Sequence, residues 1–218
     1  MVIRGSGLVA YGLLAAATVW GLLISTKVFG RSVKAKPVTW FHESLALAAV
    51  LATVVHMIGL GLDEYIDFGW RELLVPGASL WNPIAVAFGV VGFYATVIVS
   101  LSFYVKKFIG QTAWRSIHFL SFGTFLAVLL HGVLAGTDRS HPAVVVMYAA
   151  SGAIVGLLLV IRVVQATGSA AAPARRTREA GRSADTGEET GRLHVVAAKG
   201  DSRPDPEPAV PMPRSRSA

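Results

Sequence analysis

Val38–Leu62 reads VTWFHESLALAAVLATVVHMIGLGL, a long apolar run that carries two histidines, His42 and His56. About 20 apolar residues of helix cover a hydrocarbon core about 30 Å thick, so the run predicts a membrane-spanning helix. Fourteen steps separate the two histidines. At about 1.5 Å per step the rings stand roughly 21 Å apart, one near each end of the span. Fourteen steps also stop about 40° short of four full turns, so both rings share a face. A second run, Trp114–Ala135 (WRSIHFLSFGTFLAVLLHGVLA), repeats the arrangement with His118 and His131. These rings are roughly 20 Å apart, but their thirteen steps stop about 140° short of four turns. Either that helix bends, or its two rings face different neighbours.

Three further runs flank these two. Gly7–Thr26 is long enough to span and lacks the short apolar core and small-residue cleavage site of a removable signal peptide. Asn82–Val105 starts with Pro83 in its first turn, where proline is tolerated, and carries Gly89 and Gly92 as positions for close packing. Ala143–Ile161 is the last. Between Leu62 and Leu80 the chain is too short and too charged to span, and it predicts a short amphipathic element at the interface. The expected fold is an all-α membrane protein, a five-span transmembrane helix bundle over residues 1–165. After the last span the chain from Val163 to Ala218, with residues 166–218 as the tail region, is rich in Ala, Arg, Gly, Ser, Thr and Pro. This stretch predicts a disordered C-terminal tail, because it cannot bury enough apolar surface to offset its ordering entropy.

Of the 218 residues, 53% are hydrophobic and 15% charged, and the apolar ones are gathered into runs, which selects the membrane class. The net charge of +7 collects in loops and tail, so it reads as a topology signal, and no nucleic-acid partner is expected. Lys27, Arg31, Lys34 and Lys36 form one basic loop, and Lys106, Lys107 and Arg115 another. With five spans these loops and the tail share a side. The positive-inside rule then places the N-terminus outside and the C-terminus in the cytoplasm of a plasma (inner) membrane. His42 and His118 lie toward the cytoplasm in that orientation, and His56 and His131 toward the outside.

Polar groups at membrane depth are costly and mark function. One buried histidine is explained by a bond to a carbonyl or a serine. Four, two on each of two helices at matched depth, point instead to paired ligands. The absence of cysteine excludes disulfides, iron–sulfur clusters and thiolate-held haem. Two imidazoles per level are too few for a closed zinc site, which takes four ligands. They suffice for haem, whose porphyrin supplies the other four donors, and a haem held by two imidazoles favours electron transfer. Gly132, Gly59 and Gly61 can make room for a macrocycle or serve ordinary helix packing. Arg71, Arg139, Lys34, Lys36 and Arg115 are candidate partners for acidic haem edges, with Arg115, one turn before His118, the foremost. His141 and His194 are assigned no cofactor role.

These residues resemble the ferric reductase-like transmembrane domain, shared by ferric reductases, NADPH oxidases and the haem subunit of the periplasmic methionine sulfoxide reductase system. The resemblance covers roughly Leu8 to Val164. It rests on H-x13-H in one helix, H-x12-H two helices later, the Trp114-Arg115-Ser116-Ile117-His118 opening, His131-Gly132 and Gly136-Thr137-Asp138. It implies two b-type haems, an inner one on His42 and His118 and an outer one on His56 and His131. Family members often have six spans, and five are expected here, without a counterpart of the first. Many also carry a flavin and nicotinamide domain. The segment after Ile161 has no Rossmann-like glycine motif following a strand, so no FAD or NAD(P) site is expected in this chain.

The expected function is a transmembrane di-haem cytochrome b. Its donor would be a cytoplasmic flavin reductase or membrane quinol, and its acceptor ferric iron, dioxygen or a redox protein outside. The chain would then be an oxidoreductase component without its own flavin domain. Two other classes stay open at this point: a transporter whose histidines relay protons or bind metal, and a structural membrane subunit without haem. Acidic residues inside the spans would favour the transporter, and only Glu43 comes near, at a helix end.

Overall fold

The structure, a computed structural model, describes residues 2–26, 35–63 and 68–167. All regular elements among them are helices: α1 (Val2–Ser25), α2 (Ala35–Gly61), α3 (Trp70–Leu74), α4 (Pro83–Ala135) and α5 (Pro142–Thr167). Four contain stretches long and apolar enough to cross a membrane, and α3 is the short exception.

The sequence reading places a loop over Lys106–Ala113. That loop is helical except at one residue. Gly110 has φ 81° and ψ 163°, a conformation that is essentially glycine-only, and it interrupts the 53-residue α4. A straight helix of that length would reach roughly 80 Å. Instead the two limbs, 83–109 and 111–135, fold back on each other. Asn82 at the start of α4 bonds the carbonyl of Leu134 near its end, 3.2 Å away, and Gly92 packs on Val128. One residue able to adopt positive φ reverses the chain, so the flanking helix formers need no loop. At the entry, Asn82 takes a left-handed conformation and Pro83 occupies the first turn.

Two other boundaries differ from the sequence reading. Pro37 does not precede α2 but lies in its first turn, since a proline there forfeits no helical hydrogen bond. The last helix continues past Arg162 to Thr167, through residues first placed in the tail. The rest of the tail, with His194, and most of the basic loop Lys27–Lys34 lie outside the described residues.

Side-chain contacts fix the helix directions. Gly7 meets His56 and Gly21 meets His42, so α1 and α2 are antiparallel. Tyr11 bonds Ser151 at 2.5 Å, and Arg162 donates to the Ser25 carbonyl, so α1 and α5 are parallel. The apolar core lies where α1, the second limb of α4 and α5 meet, at Tyr11, Leu22, Phe125, Tyr148 and Leu158. Tyr11 sits edge-on to Tyr148, with ring centres 4.7 Å apart. The outward faces are apolar too. On α2, Leu47, Leu51, Val55 and Ile58 form an exposed stripe at helical spacing, and Val146, Leu157, Val160 and Val164 are exposed on α5. Such large apolar faces suit lipid rather than water. The helix α3 tucks Leu73 into the bundle, packs Trp70 on Gly61, and is tied down by Tyr94, whose hydroxyl donates to the Leu74 carbonyl.

Replacing Gly110 with valine forces a β-branched residue into positive φ. We expect a loss of about 1–3 kcal/mol, read as a lower thermal midpoint in detergent. An unchanged midpoint would show that the reversal does not depend on this backbone conformation.

Candidate functional site

A histidine inside an apolar bundle needs room for its ring and a partner for each nitrogen. Glycines provide the room. A Cβ on Gly21 would stand 3.0 Å from His42 Cε1, and one on Gly7 would stand 3.0 Å from His56 Cε1. The two glycines are fourteen residues apart on α1, the same interval as the two histidines on the antiparallel α2. Both histidines of α2 therefore turn to one neighbour, as their shared face requires.

The second limb of α4 behaves differently. His131 turns to the first limb, where a Cβ on Gly89 would stand 2.7 Å from the ring. Its Nδ1–H donates to the Ala85 carbonyl at 2.7 Å. His118 turns to α2, with its ring centre 6.1 Å from that of His42 and the planes crossed at 77°. Trp114, one turn earlier, stacks on it at 5.1 Å and 22°. No residue from 111 to 135 leaves helical φ/ψ. The two rings thus face different helices without a break, one of the two outcomes that the thirteen-residue spacing permits.

The four histidines form two levels. His42 and His118 are at the end of the bundle that holds Gly21, Ser25 and Arg162. His56 and His131 are at the end that holds Gly7 and Asn82, and both line one cavity of about 890 Å³. Its walls are mainly apolar, with Tyr11, Phe93 and Val90 among them. Asp63, Thr137, Asp138 and Arg139 also line it, giving it one charged portion. Arg139 also bonds the Leu134 carbonyl and so closes the end of α4.

The ring nitrogens differ in their partners. With Nδ1 donating to Ala85, a neutral His131 keeps the Nε2 lone pair for a metal, the arrangement that orients many ligating histidines. His56 Nδ1 lies 3.4 Å from Ser6 Oγ. The backbone of Ala17 is near His42, yet Nδ1 of that ring is buried without a hydrogen bond of good geometry. Two imidazoles on opposite sides of one metal ion, at about 2 Å per bond, have ring centres about 6 Å apart. His42 and His118 match that spacing. The outer cavity is within the range of about 300–1,000 Å³ typical of cofactor sites. Among the described residues no group of three or more His, Cys, Asp or Glu converges. Each level therefore offers two imidazoles, a donor set that suits a cofactor bringing its own equatorial ligands.

The structure also places the remaining candidate residues. A Cβ on Gly132 would stand 2.6 Å from the Tyr148 hydroxyl, and one on Gly61 3.1 Å from Trp70, so both glycines serve close helix packing, and Gly132 also lines the cavity of His56 and His131. Arg115 is exposed, and the cations whose charge acts on His118 are Lys106 and Arg162. His141 is exposed, and its carbonyl accepts bonds from Val144 and Val145 at the start of α5. Sequence reasoning missed Gly7 and Gly21, although their fourteen-residue interval repeats that of His42 and His56.

Comparison with protein-family models, curated proteins and solved structures finds no match for the chain.

Gly89→Ala should push His131 off its Ala85 bond and cost about 1–3 kcal/mol, as overpacking does. Gly12→Ala on α1, where a Cβ meets nothing within 4 Å, is the control and should be neutral or slightly stabilising. Thermal midpoints in detergent check the pair. Equal effects of the two substitutions would contradict the close contact.

Proposed function

We propose that the chain is a transmembrane di-haem b-type cytochrome, carrying electrons from the cytoplasmic side of a plasma (inner) membrane to an acceptor outside. The observation that carries this reading is the convergence of the four histidines into two pairs at opposite ends of one apolar bundle. The resemblance to the ferric reductase-like transmembrane domain supports it on the same residues.

In this reading α1, α2, both limbs of α4, and α5 make five crossings. Reversal at Gly110 turns the 53-residue α4 into two of them. The basic residues of the two loops and the end of α5 fall on one side, which makes that side cytoplasmic and the N-terminus external. His42 and His118 hold the inner haem, and His56 and His131 the outer. When bound, a haem with two imidazole ligands supplies one-electron transfer with no open position on the iron.

The protein's own contribution is geometric and electrostatic. Gly21, Gly7 and Gly89 let the rings approach the neighbouring backbone. Ala85 fixes the tautomer and orientation of His131. Apolar walls exclude water from the outer cavity, and the charged portion lined by Asp138 and Arg139 gives that level its contact with the outer aqueous phase. Lys106, Lys107 and Arg115 would draw an acidic donor surface toward the inner level, an attraction that salt weakens. The donor is a flavin reductase or a quinol, and the acceptor is ferric iron, dioxygen or a redox protein.

The purified protein should carry two non-covalent haems per chain, with a low-spin reduced-minus-oxidised spectrum. A haem-replete preparation with none, or with covalent haem, would refute the reading. In vesicles, reduction from the cytoplasmic side should require an added flavin reductase or quinol and then deliver electrons to an impermeant acceptor outside. Rapid reduction of flavin-free protein by NADPH alone would contradict it.

A further inference from the structure

Trp114 stands in an unusual position at the inner level. It lies just after the Gly110 reversal, in the first turns of the second limb. Its ring stacks on His118 at 5.1 Å with the planes 22° apart. The ammonium of Lys106, from the last turns of the first limb, lies 4.0 Å from the centre of the same ring. The indole Nε1 is buried and has no hydrogen-bond partner among the described residues. An indole N–H is a donor only and normally finds an acceptor when buried. No hydrogen bond therefore places this ring. What places it is contact with Lys106 and with His118.

Among the described residues His118 makes no hydrogen bond of the kind that Ala85 gives His131. Its other ring contact is His42, at 6.1 Å. The plane of the His118 imidazole is therefore set by the indole stacked on it. The sequence Lys106, Trp114, His118, His42 is a continuous line of ring contacts that starts at a fixed positive charge. Lys106 is half-buried, and its charge and that of Arg162 both act on His118. Arg115, next to the indole in the chain, is exposed and acts more weakly through water.

We propose that Lys106 and Trp114 form a positioning clamp on His118, which fixes the plane of that ligand and raises the reduction potential of the inner centre above what its two imidazoles alone would set. The proposal rests on the di-haem reading. Its physics is simple. A positive charge in a low-dielectric setting stabilises the less positive, reduced form of a neighbouring redox group. A cation over an indole is held there by the ring quadrupole, so it cannot drift into water as a free lysine would. Ring stacking removes the rotation about Cβ–Cγ that His118 would otherwise have.

The test uses full-length protein with redox titration and low-temperature electron paramagnetic resonance. Lys106→Gln should shift the equilibrium of the inner centre with a fixed donor about tenfold toward oxidised, which is about 59 mV for one electron, and leave the outer centre in place. Lys106→Arg should restore the wild-type value. Trp114→Ala should change the low-spin signal of the inner centre, because the imidazole plane is released, and Trp114→Phe should restore most of it. If Trp114→Ala does not insert, the two Lys106 variants and Trp114→Phe still decide the matter. A wild-type potential in Lys106→Gln, or equal shifts at both centres, would overturn the clamp. A wild-type protein without haem would instead overturn the reading on which it rests.

Discussion

Three of the four half-buried histidines rest on a glycine of the facing helix, and the arrangement of the bundle depends on that contact. A side chain at Gly7, Gly21 or Gly89 would need the space that a ring now fills. Because Gly7 and Gly21 share the interval of His42 and His56, the contact also sets the register of α1 against α2. Sliding one helix by a single turn would put a Cβ against each ring. Aliphatic side chains alone hold helix register loosely in lipid, where apolar faces gain little by meeting each other rather than solvent tails. Paired ring and glycine contacts at both ends are more selective.

The levels differ in how the imidazoles are secured. At the outer level a backbone carbonyl orients His131, and a large cavity separates the ring from the polar residues lining the same space. At the inner level no hydrogen bond of good geometry reaches His42 Nδ1, and His118 is placed by aromatic contact. Beside the outer level lies the packed cluster of Tyr11, Phe125 and Tyr148, which joins α1, the second limb of α4 and α5. This cluster makes one body of helices whose rings would otherwise be held only in pairs. The Tyr11–Ser151 hydrogen bond satisfies the tyrosine hydroxyl there.

Much of this was legible in the sequence. The long apolar helices follow from hydropathy, because few residues other than membrane ones sustain such runs. The facing of the histidines follows from 3.6 residues per turn: His42 and His56 share α1, while His118 and His131 diverge to α2 and to the first limb. Helix ends were less legible. Lys106–Ala113 reads as a loop because charges usually mark one, yet only Gly110 leaves the helix, and polarity says nothing about a single positive φ. The last helix runs on through Val163 and Val164 to Thr167, because a helix already formed adds residues without a new nucleation cost. Gly132 and Gly61 drew attention by lying close in sequence to histidines. The glycines that touch the rings lie on facing helices, and only their matched interval on α1 hints at it.

The central claim is that His42 pairs with His118 and His56 with His131, each pair on one haem. It is tested most directly by four single alanine variants, each compared by reduced-minus-oxidised spectra and haem content at equal protein. His42→Ala and His118→Ala should lose the same spectral component, His56→Ala and His131→Ala the other, with about half the haem retained throughout. Loss of one shared component in His42→Ala and His131→Ala, with the other retained, would contradict the pairing and with it the two-level bundle.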